Sequence, residues 1–315
     1  MMGRDLLLIA VALTGIAGGV TLPQMAAVFS PYILHCMMLI LFLSFLRLNF
    51  GTLMGLGGGS LFEVAVWSAW KLLLMPTILW GICRLVLPDY SLAVLLLAGV
   101  SAGVTAPFFA GLLGANVERV LQVVVVTSLL VPLSLPTLAQ LLMGAELAIP
   151  YWPMVRLLLL VIFIPLLSSI AMRRFVPAAV PYLARVQFPL LLLLFLTINL
   201  GVFATYAAFL RAHLDEVAII VLVCCIGAVI FAGSGFLLGR LSGGRLDGLD
   251  GAVLMTYVNN VLIVVFAARF FGPTEPLMAA AYMLPLNVML LPIRFVTQCE
   301  AKISRGQVRR HQSTD

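Results

Sequence analysis

The sequence is poor in charge. Asp, Glu, Lys and Arg make up 10% of its 315 residues, against 63% apolar ones, where a soluble domain carries about 25% charged residues and about half apolar ones. A water-soluble fold of this length could bury such a core but could not cover it, so the excess apolar surface must face lipid. Lysine is scarcer still, with Lys71 and Lys302 the only two among eighteen basic residues. Those eighteen are scattered between apolar runs, and the absence of a dense basic patch excludes a nucleic-acid footprint. The five cysteines (Cys36, Cys83, Cys224, Cys225, Cys299) lack metal and disulfide spacing and read as small hydrophobes. Also missing are a His-Glu-x-x-His helix, an intramembrane carboxylate pair and a phosphate loop. Gly55-Leu56-Gly57-Gly58-Gly59 lacks the Lys-Ser/Thr of such a loop and reads as a flexible link. With no nucleophile–base or metal set, the protein is not expected to be an enzyme.

What is present is apolar length. A bilayer core needs about 20 mostly apolar residues per helix. Ten segments meet this, roughly 6–22, 30–47, 61–87, 91–113, 117–143, 151–172, 183–209, 216–239, 249–271 and 275–298. The first follows Arg4 and Asp5 and ends at a weak cleavage signal, Gly18-Gly19-Val20, so it is expected to be retained as a span. With the N-terminus cytoplasmic, thirteen basic residues fall on that side and four (Arg84, Arg156, Arg211, Arg269) on the other, leaving Lys71 over. That bias predicts both termini inside. The absence of a targeting sequence and the short tails point to a bacterial inner membrane. Ten spans divide into five and five, residues 1–145 and 146–299, followed by a basic cytoplasmic tail at 300–315. An odd number of spans per half requires inverted repeats, as in many secondary transporters. The halves end alike, with Pro132 and Pro136 in span 5 and Pro285 and Pro292 in span 10.

Polar residues interrupt the fourth span of each half. Span 4 carries Gly99, Ser101, Gly103, Thr105 and Pro107; span 9 carries Thr256, Tyr257, Asn259 and Asn260. Proline removes a backbone donor, glycine lowers the cost of unwinding, and backbone groups freed at bilayer depth need protein, water or ligand. Interhelical hydrogen bonding is the plain alternative. Lys71 stands about 15 Å into its span, counted from Leu61 at about 1.5 Å per residue, where insertion charges about 3 kcal/mol. It marks a functional site unless it snorkels or is paired structurally, for instance with Glu63 two turns earlier. His35 falls near the start of span 2, at the interface, and Glu118 and Arg119 read as a solvated pair in a turn.

Four stretches give the chain a resemblance to the bile acid:sodium symporter family. They are Lys71-Leu72-Leu73-Leu74-Met75-Pro76, Ser101-Ala102-Gly103-Val104-Thr105-Ala106-Pro107, Tyr257-Val258-Asn259-Asn260 and Leu286-Asn287, in matching order from about residue 30 to 298. The resemblance implies an all-α membrane fold of about ten transmembrane helices, with inverted five-helix repeats, panel and core domains and two broken crossing helices. It also implies transport of organic anions, usually with sodium, and places Thr127 and Ser128 among the family's ion ligands. The departures are specific. Ala106 and Pro107 replace the Ser and Asn of the family's first crossing, Met255 its acidic residue and Lys71 its glutamine. Sodium prefers an anionic ligand, and here a cation stands instead.

The expected function is therefore alternating-access transport of a small organic anion without classical sodium coupling. The expected site comprises Lys71, Ser101, Gly103, Thr105, Thr127, Ser128, Thr256, Asn259, Asn260 and Asn287. No cofactor is expected; sodium stays open but disfavoured, and proton coupling through Lys71 is the alternative. Expected partners are the anion and the bilayer, with the oligomeric state undetermined. The rival readings are a carrier of neutral or metalloid solutes and a non-transporting membrane sensor or assembly protein on the same fold.

Overall fold

The computed structural model describes residues 2–46, 58–144, 148 and 150–298, and every regular element among them is helical. The chain runs through α1 (Met2–Thr21), α2 (Pro23–Phe45) and α3 (Leu61–Val86). Two short helices follow, α4 (Ser91–Gly99) and α5 (Ala106–Leu113), separated by non-helical residues. Four long ones come next: α6 (Val117–Met143), α7 (Tyr151–Phe175), α8 (Ala179–Thr205) and α9 (Leu214–Leu241). A second short pair, α10 (Gly248–Thr256) and α11 (Asn260–Phe270), precedes α12 (Thr274–Gln298). Among the described residues seven helices are long and apolar enough to cross a membrane: α2, α3, α6, α7, α8, α9 and α12. The protein is an all-α membrane protein. At about 1.5 Å per residue, no half of the split pairs could span a core of about 30 Å alone.

Three local expectations need correction. Helix α2 begins at Pro23, ahead of residue 30, and passes through a 3-10 stretch at Ala27–Tyr32; His35 is exposed in the first turn of its α-helical part, Ile33–Phe45. Helical structure already starts at Gly58, so two of the five residues of the expected link belong to a helix; residues 55–57, like Cys299 and the basic tail, lie outside the described residues. Arg119 does not pair with Glu118. Its guanidinium bridges Glu63 and the buried Asp250, 2.8 Å from the latter, whose other oxygen accepts from the Asn116 amide at 2.7 Å. A buried carboxylate needs a cation and further donors to offset desolvation, and the guanidinium fork serves two carboxylates together.

Helix α1 lies on α8, and α2 on α7 and α8; α3 to α6 and α9 to α12 pack together, and α7 joins the two sets by packing on α6 about as closely as on α2. The tightest pairing is α9 on α10. Gly235 and Gly239, one turn apart, press against the backbone of Gly251 and Gly248, an approach a side chain would block. Contacts between helix ends also fall into two sets. Arg173 donates to the carbonyls of Phe45 and Leu46, Arg294 to Leu112, and Arg119 joins the starts of α3, α6 and α10. At the opposite end Arg211 donates to the Val20 carbonyl, Trp80 to the Met143 sulfur, and Thr137 meets Tyr151.

Candidate functional site

The two split helices meet where they are broken. Helix α4 stops at Gly99 and Val100 turns extended (φ −68°, ψ 156°); α10 stops at Thr256 and Tyr257 leaves helical geometry (φ −86°, ψ 80°). The two non-helical stretches then pair like strands, with an antiparallel bridge between Ala102 and Val258. The Gly103 amide donates to the Tyr257 carbonyl at 2.6 Å and the Asn259 amide to the Ser101 carbonyl at 2.9 Å. Backbone freed from both helices is thus satisfied across the break, as the low dielectric demands. Glycine is required at position 103, because a Cβ there would stand 2.6 Å from the Val258 carbonyl oxygen. The helices resume behind the crossing. Pro107 sits in the first turn of α5, and the Asn259 side chain caps α11 by accepting from the Leu262 amide at 3.4 Å.

Neighbouring helices hold the broken ends. Thr127 on α6 accepts from the Ala102 amide (3.2 Å) and donates to the Val123 carbonyl (2.7 Å), so its hydroxyl supports the crossing. On α12 the buried Tyr282 hydroxyl donates to the Thr256 carbonyl at 2.9 Å, closing the end of α10. Phe109 stacks on Tyr257, ring centroids 3.8 Å apart and planes 9° from parallel.

Lys71 serves the end of α4. It is fully buried, and its ammonium donates to the Ala98 carbonyl at 2.7 Å and lies 5.5 Å from the centroid of the Phe231 ring. Ala98 is in the last turn of α4, where carbonyls lack helical partners and the helix dipole is negative. A cation gains up to about 2 kcal/mol from such an end and about 2 kcal/mol from a desolvated aromatic face. Lys71 neither snorkels nor reaches Glu63, which Arg119 engages; the partner it finds is the Ala98 carbonyl, a structural pairing. Among the described residues Lys71 forms no ion pair. Its backbone is distorted as well. Trp70–Leu74 is a π-helical turn in which the Met75 amide bonds to Trp70. Pro76 lacks the amide that would bond to Leu72, and its ring crowds that carbonyl; the wider turn relieves the clash and re-aims Lys71, as π-turns often do at functional sites.

Around the crossing lies a set of buried polar atoms without partners among the described residues: the hydroxyls of Ser101, Ser128 and Thr256, the Asn259 side-chain nitrogen and both polar atoms of the Asn260 amide. Each such atom costs about 1–3 kcal/mol if nothing meets it. A cluster of them points to a ligand or water. The residues expected to form the site thus divide. Ser101, Gly103, Thr127, Thr256, Asn259 and Asn260 belong to the crossing or flank it, and Ser128 adjoins Thr127. Lys71 reaches it through Ala98. Thr105 is exposed at the start of α5, and Asn287 donates to Met283 within its own helix. Phe231 and Tyr282 were missed, since an aromatic in an apolar run carries no sequence signal of its own. Two cavities lie apart from these residues. A groove of about 680 Å³ is lined by Glu63, Arg119, Arg240, Arg245 and Asp247, and a hollow of about 300 Å³ is bordered by Leu92, Phe271 and Glu275.

No protein-family model matches the chain, and no curated protein sequence matches it.

Proposed function

We propose that the protein is a secondary carrier for a small organic anion, a divergent relative of the bile acid:sodium symporters. The observation that carries this reading is the crossing itself: two broken helices paired through their breaks, lined by unpartnered donors, with the Lys71 ammonium at one helix end. The site is rich in donors, and the carboxylates nearest it in sequence, Glu63 and Asp250, are committed to Arg119. An anion suits such a site better than a cation. Asn259 and Asn260 bind the substrate, Ser101, Ser128 and Thr256 complete its shell, and Lys71 contributes positive potential.

In this reading the split pairs each count as one span, so that α1 to α12 form ten. Helices α1, α2, α7 and α8 form the panel and the others the core, and alternating access is the movement of one against the other. Supporting evidence for inverted five-helix repeats comes from the breaks: the fifth span steadies the first through Thr127, and the tenth steadies the second through Tyr282. The bias of thirteen basic residues to four supports cytoplasmic termini, and the membrane in this reading is a bacterial inner membrane. Coupling does not follow the classical sodium scheme, because Lys71 and Met255 stand where the related family has a glutamine and an acid.

Purified protein in liposomes tests this. Uptake of a small carboxylate is expected to be indifferent to sodium, and Asn260→Ala is expected to weaken substrate binding about tenfold or more, the loss of a hydrogen bond to a charged group. Uptake rising steeply with sodium in both wild type and Lys71→Gln would sink the coupling claim. A protein that no small anion stabilises against heat, and that takes none up, would instead be a non-transporting relative.

A further inference from the structure

The ends of α4 and α11 that point away from the crossing border the hollow of about 300 Å³. Leu92 stands at the start of α4, and Phe270 and Phe271 at the end of α11, about 10 to 15 Å from the break in each helix at about 1.5 Å per residue. Pro150, ahead of α7, and Glu275, in the first turn of α12, complete the wall. Glu275 is the one lining residue with a polar side chain.

Glu275 is only partly spent on its own helix. The backbone amides of Gly272 and of Glu275 itself donate to the carboxylate, and the positive end of α12 favours an anion there. Oε2 is nevertheless buried without a hydrogen-bond partner among the described residues, and no arginine, lysine or histidine pairs with the carboxylate. Tyr206, at the end of α8, stands near enough to feel its charge but does not bond to Oε2. A helix cap needs no apolar chamber beside its spare oxygen, and a desolvated anionic oxygen calls for a donor that also brings positive charge.

The walls select the class of that donor. A divalent metal takes six or more oxygen ligands, and the hollow offers a single carboxylate. Phe270 and Phe271 both lean on Phe266, with ring centroids 5.4 and 6.1 Å apart, so the two rings are held in place at the wall. Aromatic and aliphatic surface suits the carbons and the charge of an organic ammonium. The volume lies at the lower end of small-molecule sites, which limits the ligand to a few carbons.

We infer that this hollow binds a small primary alkylammonium ion, its nitrogen donating to Glu275 Oε2 and its carbons lying against Phe270, Phe271 and Leu92. The site is separate from the crossing and independent of what the crossing carries.

Thermal unfolding of the detergent-purified protein tests it. Propylammonium chloride is the probe, and tetramethylammonium chloride, sodium chloride and 1-propanol are the controls, at neutral pH and constant ionic strength. The midpoint is expected to rise saturably with propylammonium and to show no saturable rise with tetramethylammonium, which has no N–H, with sodium, or with the uncharged alcohol. Glu275→Gln keeps the shape and removes the charge; it is expected to weaken the apparent affinity about tenfold or more. A flat wild-type response, a response shared equally by any control, or one that Glu275→Gln leaves unchanged overturns the inference. Should Glu275→Gln fail to fold, Phe271→Leu keeps the carboxylate and its amide donors; it is expected to weaken propylammonium severalfold, and an unchanged affinity overturns the inference.

Discussion

Lys71, Asn260 and Gly103 could each be picked out of the sequence, but for different reasons. A lysine deep in an apolar span is conspicuous by cost alone, and paired asparagines likewise. Gly103 stood out as a helix breaker, whereas its decisive property is the close approach of the Val258 carbonyl. Gly103→Ala forces that contact apart and is expected to destabilise the fold by about 1–3 kcal/mol, the usual range for overpacking, read as a lowered unfolding midpoint. Tyr282→Phe removes one of two donors to the Thr256 carbonyl, which keeps the Val258 amide at 3.1 Å, and is expected to cost about 0.5–1.5 kcal/mol. Asn287→Ala removes only a bond within its own helix and should leave ligand binding unchanged; a tenfold loss there would place Asn287 in the site after all.

At the scale of elements, the interruptions in spans 4 and 9 were legible because glycine, proline and asparagine mark backbone that leaves the helix. Their mutual pairing was not, since nothing local says which distant carbonyl an amide will find. The same holds for the Glu63–Arg119–Asp250 cluster, which ties the starts of α3, α6 and α10. Sequence neighbours suggested Glu118 as the partner, and the fold supplied two residues far along the chain. Asp250→Ala leaves Arg119 paired with Glu63 but the Asn116 amide without its acceptor, and is expected to cost about 1–3 kcal/mol, again read by thermal unfolding. Gly239→Leu puts a side chain into the backbone of Gly248 and should detach α10 from α9. Loss of folded protein on size-exclusion chromatography is the expected result, and a monodisperse peak of normal stability would contradict the packing.

For the whole molecule, membrane residence followed from composition, because too few charges exist to cover the apolar surface. The packing cuts across the order of the sequence, with α1 and α2 lying on α7 and α8, and α7 in turn on α6. Helix-end contacts give a labelling prediction: Arg211→Cys, beside the end of α1, and Arg294→Cys, beside the end of α5, should react with membrane-impermeant thiol reagents from opposite sides. The comparison uses a background lacking the native cysteines, and reaction of both from one side would overturn the threading.

The sequence by itself determined that the chain is a helical membrane protein, where two of its helices break and which polar residues are costly at bilayer depth, because hydropathy, helix breaking and desolvation are read residue by residue. Only the tertiary structure decided that Lys71 caps α4 over Phe231 instead of reaching for Glu63, that Arg119 belongs to Asp250, and that the two breaks satisfy each other. Those outcomes depend on which distant donor and acceptor are brought within about 3 Å, a distance set by the packing of every intervening helix.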